Sequence, residues 1–288
     1  MSLLAAVSRR LVPLLAVVLA ACVPVSVPEG AFFYPEARLR AENIVLEDSP
    51  PWPGAEVMSL PYSGGAVGVT RIRTGEARTP LILFCGGNMF RRRVNTFSAA
   101  RKLTPFGDVL MFDYPGYGDT PGQADVAGFR AAGEVVAAAA RAQADAEGRP
   151  LIAWGHSLGG PICAEAARVT RADALVLEAT TPSARAAVHQ QAGMMRPFLR
   201  FDIAPGLAAI NIPASLEGYA GRVVVLEAGK DDTLPPALSR ALARDLTAQG
   251  VEVQRLVFPA AGHNDIGRQP DFQPRLTAAL ALPVRTAQ

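Results

Sequence analysis

From residue 81 onward, short continuous apolar runs alternate with longer stretches of mixed or alanine-rich character. The apolar runs are Leu81–Cys85, Val109–Tyr114, Leu151–Gly155, Ala174–Glu178, Arg222–Ala228 and Val253–Phe258. Runs of this length, bounded by turn-forming residues, suit strands that are buried on both faces. The intervening stretches 91–104, 124–147, 158–171, 235–249 and about 270–281 have helical length and few breakers, and are predicted helices. Upstream the pattern shortens. Asn43–Glu47, Ala55–Tyr62 and Ala66–Arg73 are predicted strands, with Gly64, Gly65 and Gly75 supplying turns. Strand–helix alternation implies right-handed crossovers and a mostly parallel sheet with helices on both faces. In such α/β sheets, ligand sites lie at the C-terminal ends of the strands.

The first 21 residues have a different pattern. Arg9 and Arg10 precede an apolar run, Leu11 to Ala21, that contains Pro13. This is short of the ~20 apolar residues that a membrane-spanning helix needs, and it has the basic-then-apolar order of an export signal. The run ends in Leu19-Ala20-Ala21-Cys22. That ending resembles the lipobox of bacterial lipoproteins, which implies lipid attachment at Cys22 after removal of residues 1–21. The expectation is therefore a signal peptide (1–21), a lipidated N-terminus and tether (22–43) and one large domain (44–288). Lipid at Cys22 would hold the protein on a membrane without spanning it. With valine rather than aspartate at position 23, the resemblance favours the periplasmic face of an outer membrane, if the host has one.

The composition narrows the choice of class. The 288 residues are 50% hydrophobic and 19% charged, with a formal net charge of +2. Removing residues 1–21, with their two arginines and no acid, leaves about zero, so there is no basic footprint for nucleic acid. The run Arg91-Arg92-Arg93 is expected to be a solvated helix start. Of three cysteines, Cys85 and Cys163 are expected to be small buried residues, with no disulfide framework or zinc spacing visible. With three histidines in the chain, no metal site and no cofactor are expected.

The chemistry centres on Gly155-His156-Ser157-Leu158-Gly159, a Gly-x-Ser-x-Gly turn between a strand and a helix. Such a turn holds the serine in a sparsely populated backbone conformation, and glycines two residues away remove side chains that would collide. A serine nucleophile needs a base, and the base needs an orienting acid. His263 follows the last strand and is assigned as the base. Asp232 follows strand 222–228 and is assigned as the acid, with adjacent Asp231 as the alternative. An oxyanion hole needs two N–H donors. Leu158 supplies one. The loop Gly86-Gly87-Asn88-Met89 supplies the other, from Asn88 or alternatively Met89. His156 is assigned to packing or to supporting the site from behind, and His189 to the surface.

These segments, together with Phe112-Asp113-Tyr114-Pro115-Gly116-Tyr117-Gly118, Gly229–Pro235 and Gly262-His263, resemble the α/β-hydrolase superfamily over roughly residues 55–285. Within it the chain is most similar to the bud-emergence-type branch, which includes protein depalmitoylases and lysophospholipase-like enzymes. The resemblance implies an α/β-hydrolase fold with a short lid insertion. Its Gly-x-x-Asp spacing, counted from Gly229, favours Asp232. One departure is Gly86, where the family usually has histidine. Residues 182–216 interrupt the strand–helix rhythm and form the candidate lid. Met194, Met195 and Phe198, with Met89, are candidate walls of an acyl pocket, and a short helix closing the core is the other reading of this insertion. The implied activity is hydrolysis of a carboxylic ester or thioester, of palmitate type, on a small-molecule or lipid substrate. A silent acyl-binding lipoprotein or an acyltransferase would use the same residues.

Overall fold

A computed structural model describes residues 23–76 and 79–281. In chain order the elements are β1 (Val23–Val27), α1 (Glu36–Ala41), β2 (Glu56–Tyr62), β3 (Gly65–Ile72), β4 (Leu81–Cys85), α2 (Arg92–Leu103) and β5 (Asp108–Phe112). Then come α3 (Val126–Ala146), β6 (Leu151–His156), α4 (Gly159–Thr170), β7 (Ala174–Glu178), α5 (Ala184–Ala192) and β8 (Leu199–Ile203). The last are β9 (Arg222–Ala228), α6 (Pro236–Ala248), β10 (Val253–Phe258) and α7 (Phe272–Ala279).

Eight strands form the central sheet in the order β10-β9-β7-β6-β4-β5-β3-β2. From β5 to β10 all neighbours are parallel, and β2 and β3 join antiparallel at one edge. The pleat sorts each apolar run between two cores. Leu81, Leu83, Leu175, Leu177, Val223 and Val225 point to one face, which α3, α4 and α6 cover with residues such as Phe129, Ile162 and Leu246. Ile82, Phe84, Trp154, Val176 and Val224 point to the other, against Ala100 and Leu103 of α2 and Phe272 and Leu276 of α7. This two-sided burial is why the runs are continuous rather than alternating. The fold is that of an α/β hydrolase, as the strand–helix rhythm and the motifs implied.

Several expectations change. Residues 44–55 contain no strand, so the predicted Asn43–Glu47 strand is absent. The segment expected as a tether is seated on the domain. β1 pairs in parallel with β8, Val23 opposite Leu199, and Phe33 and Leu39 are buried. Phe33 lies 4.7 Å from the Phe129 ring, and burying such a side chain contributes about 2–3 kcal/mol. Cys85 and Cys163 are not separate thiols; they form a disulfide between the end of β4 and α4 across 78 residues of sequence. Of the arginine run, only Arg93 is a solvated helix start. Arg91 is fully buried, ion-paired to Glu36 at 3.0 Å, and Arg92 is buried against Asp113 at 3.2 Å. Segment 182–216 divides in two. Ala184, Val188, Leu207, Ile212 and Leu216 join the core, while residues 193–198 stand in solvent. Residues 1–22, including the lipidation candidate Cys22, lie outside the described residues. No helix among those described is long and apolar enough to cross a membrane.

A cross-link closing a loop of this length is worth about 4 kcal/mol in the chain-entropy account. Replacing both Cys85 and Cys163 by serine is expected to lower unfolding stability by roughly 2–5 kcal/mol, read as a shift in the urea midpoint. An unchanged midpoint would contradict the bridge.

Candidate active site

β6 ends in the Gly-x-Ser-x-Gly turn. Ser157 takes φ +52°, a left-handed conformation that costs a non-glycine residue about 1–2 kcal/mol. Three hydrogen bonds hold it. Its N–H donates to the Glu178 carbonyl at 2.9 Å, and its carbonyl accepts from Gly160 N–H at 3.0 Å and the Thr180 hydroxyl at 2.7 Å. The flanking glycines are required by space. A Cβ on Gly155 would lie 2.5 Å from the Gly159 carbonyl oxygen, and one on Gly159 would lie 2.0 Å from that of Cys85.

The loops after β9 and β10 bring the other two groups in. They are tied together by Gly229 N–H to Phe258 O at 2.9 Å and Lys230 N–H to Ala261 O at 2.8 Å. His263 Nε2 sits 3.0 Å from Ser157 Oγ, and its Nδ1 sits 2.7 Å from Asp231 Oδ2. The acid in contact is therefore Asp231, and the assignment of Asp232 is corrected. The reason is local. Asp231 Oδ1 accepts the N–H groups of Thr233 at 3.0 Å and Leu234 at 2.8 Å, a turn that points this side chain inward at 1% exposure. Asp232 is left facing solvent, with only the Thr233 hydroxyl at 3.5 Å. A carboxylate on Nδ1–H leaves the Nε2 lone pair toward the serine hydroxyl, the arrangement that can accept its proton.

His156 supports this chain from behind. A carbonyl can only accept, so His156 donates Nε2–H to the His263 carbonyl at 3.1 Å. Burial pushes its pKa down to about 4, against the pull of nearby Glu178, so the ring is neutral at pH 7. Glu178 itself lies buried between Lys102 Nζ at 2.7 Å and Trp154 Nε1 at 2.8 Å. Burial alone would raise its pKa, but the Lys102 charge and these hydrogen bonds hold it below the ordinary value.

The Gly86–Met89 loop passes directly over the serine. A Cβ on Gly87 would lie 3.4 Å from Ser157 Cβ and 2.8 Å from His156 Nδ1. At Gly86 a Cβ would fall 2.2 Å from the Phe90 ring, so Phe90 fills the space that a histidine side chain would need. The Asn88 side chain faces the N-terminal segment. Its Oδ1 accepts Tyr34 N–H at 3.0 Å and the Tyr117 hydroxyl at 2.7 Å, and its Nδ2 donates to Phe32 O at 2.7 Å. Buried Arg91 completes this clamp through Glu36 and the carbonyls of Tyr34 and Asn88. Leu158, the other expected donor, caps the N-terminus of α4. Sequence reasoning missed the clamp. Its one visible trace is Tyr117 in the Tyr-Pro-Gly-Tyr-Gly segment.

The candidate pocket residues are all solvent-exposed. Met194 is 94% exposed and Met195 and Phe198 are more than half exposed, so none of the three walls an enclosed pocket. Met89 is also exposed, on the loop beside the site. His189 is half-buried beside the Phe201 ring at 5.7 Å. Among the described residues, no three His, Cys, Asp or Glu side chains converge as a metal ion would require.

A mostly parallel sheet with a glycine-flanked serine after a central strand, and an aspartate and a histidine on the loops after two later ones, is the architecture of an α/β hydrolase. A family model described as "Alpha/beta hydrolase family" matches residues 81–216. Two uncharacterized proteins from two strains of Mycobacterium tuberculosis are 30% identical over 198 residues, which is 67% of this chain. The chain spans 66% of the length of these relatives. Among solved structures, a Pyrobaculum calidifontis esterase superposes with a TM-score of 0.59 at 16% identity, covering 81% of this chain and 87% of its own. A Pyrococcus furiosus esterase gives 0.61 at 13% identity, covering 82% and 97%. A Xanthomonas campestris protein described as an a/b serine hydrolase without lid gives 0.55 at 20% identity, covering 83% and 100%. The chain therefore has the alpha/beta hydrolase fold, and residues 81–216 match the model of that family.

His156 provides a pH test. Unfolded, it takes up a proton as pH falls through 6.5; folded, it does so only near 4. The stability that neutral His156 contributes is complete above the first value and lost as pH falls through the second. Asp113 runs oppositely, because burial raises its carboxyl to about 6 despite Arg92, but a comparison of variants cancels it. The stability gap between the native chain and His156→Gln is expected to narrow by up to roughly 3 kcal/mol from neutral pH to about 4. Urea titrations at several pH values would measure this. A gap that stays constant would refute the buried neutral ring.

Proposed function

We propose that this protein is a serine hydrolase of carboxylic ester or thioester bonds, carried on a bacterial envelope membrane by lipid at Cys22. The observation that carries the catalytic part is the continuous chain from Ser157 Oγ through His263 to Asp231, at 3.0 and 2.7 Å. Ser157 Oγ attacks the acyl carbon while its proton passes to His263 Nε2, and Asp231 stabilises the imidazolium that results. The N–H groups of Leu158 and Asn88 receive the oxyanion. Collapse expels the alcohol or thiol, which takes the proton from His263. Water then attacks the acyl-serine with His263 as base, releasing the carboxylic acid and restoring the serine. No cofactor takes part.

Three further features support this reading. The α4 N-terminus lies directly after Ser157, where its partial positive charge favours the oxyanion. In the Gly86–Asn88 loop, Phe90 occupies the side-chain space at position 86, and replacing a histidine there by glycine leaves the loop's backbone N–H groups in the chain. Two of the solved structures with this fold are described as esterases. The Tyr114–Gly118 segment, which most resembles the depalmitoylase- and lysophospholipase-like branch, favours an acylated lipid or acylated protein as substrate. For the membrane part, the support is the Leu-Ala-Ala-Cys sequence ending an apolar run.

Ser157→Ala is expected to lower hydrolysis of a p-nitrophenyl ester by at least about 10³-fold and to abolish labelling by a fluorophosphonate probe. Labelling that persists in the variant would place the nucleophile elsewhere.

A further inference from the structure

Nine large hydrophobic side chains are exposed among the described residues, and four of them, Val23, Met194, Met195 and Phe198, come from two neighbouring pieces of chain. Met194, Met195 and Phe198 lie on the turn Gly193–Phe198, every residue of which faces solvent. That turn runs straight into β8, whose first residue Leu199 is paired with Val23 at the start of β1. The parallel register therefore puts the first residue of β1 beside the exposed turn. Scattered single hydrophobics on a surface need no explanation, but a cluster does. The charges here are mostly positive: Arg196 and Arg200 are exposed on the same turn and strand, and Arg185 is exposed on α5 nearby. Asp202, on the outer side of β8, is the one acid among them.

Chain connectivity identifies what covers this surface. Cys22 is bonded to Val23, and successive Cα atoms are ~3.8 Å apart. Any group on Cys22 is thus tethered one peptide unit from Val23, whose partner Leu199 directly follows Phe198. Exposed methionine and phenylalanine flanked by arginines suit the boundary between acyl chains and anionic head groups. We propose that the 193–198 turn, with Val23, is the face on which this protein rests on an anionic lipid bilayer. Choosing lipid as the occupant relies on the reading of Cys22 as a lipid-bearing residue; it does not rely on the hydrolase chemistry. The protein then sits in a fixed orientation. The turn and the β1–β8 ribbon lie against the head groups, and the insertion between β7 and β9 forms the membrane-facing end of the molecule.

The test uses the full chain, exported in bacteria and reconstituted into vesicles of phosphatidylcholine with a minor fraction of phosphatidylglycerol. Phe198→Trp places a reporter on the turn, and Val169→Trp places one at a site of equal exposure on α4. The signal of Trp52 and Trp154 is subtracted using the unsubstituted chain. With brominated phosphatidylcholine, the reporter at 198 is expected to lose most of its emission and the one at 169 almost none. Flotation with equal or absent quenching at the two positions overturns this inference alone. Failure to float overturns it together with the anchoring reading. An emission shift at 198 that follows protein concentration and not lipid would make a second copy of the chain the occupant, and would overturn it as well. Fluorophosphonate labelling of Ser157 reads the hydrolase proposal separately in the same samples.

Discussion

The backbone of Ser157 is held in a conformation that side-chain-bearing residues avoid, and much of the structure can be understood as accommodating it. The strain, about 1–2 kcal/mol, is offset by three hydrogen bonds, to the end of β7, the loop after it and the first turn of α4, each contributing about 1 kcal/mol. Gly155 and Gly159 are needed because their neighbours' carbonyls occupy the space a side chain would take. The same turn aims the serine hydroxyl at His263 and leaves Leu158 at the start of α4. The Cys85–Cys163 bridge continues this logic. It joins the strand leading into the Gly86–Met89 loop to the helix that begins just after Ser157. The two backbone segments expected to supply oxyanion donors are thereby fixed to each other covalently.

The N-terminal segment is held as firmly. Glu36 reaches both Arg91 and Gly118 N–H, Tyr34 bonds to Asn88 and Tyr117, and Glu29 accepts Val126 N–H at the start of α3. Arg91 is fully buried, so removing Glu36 would leave its charge without its partner, and this segment is part of the domain rather than a leash. Residues 32–36 are thus wired into the loop that passes over Ser157.

Much of this was legible in the chain. Double-sided burial makes long apolar runs, so six of the eight central strands and their helices stand out by pattern alone. The glycine spacing around Ser157 and the single histidine after the last strand mark two members of the site. What pattern could not resolve was which of two adjacent aspartates turns inward. Strand periodicity does not extend into the loop after β9, and the turn formed by the Thr233 and Leu234 amides decides it. The disulfide was invisible for a similar reason: a cysteine at a buried strand end has the same local sequence whether paired or not. Arg91 and Arg92 misled because a charge run normally means solvent. Their partners Glu36 and Asp113 are 55 and 21 residues away, and the N-terminal packing of Phe33 depends on Phe129, farther away still.

The central claim is that Asp231, not its neighbour, orients His263 for proton transfer from Ser157. The most direct measurement is kcat/KM for ester hydrolysis in Asp231→Asn and Asp232→Asn, prepared in parallel. A neutral amide at 231 removes the acceptor that fixes the imidazole tautomer, and is expected to cost about 10³–10⁴-fold. Asp232→Asn, at a solvent-facing position, is expected to stay within a few-fold of the native chain. The reverse order, with Asp232→Asn the inactive variant, would contradict the account.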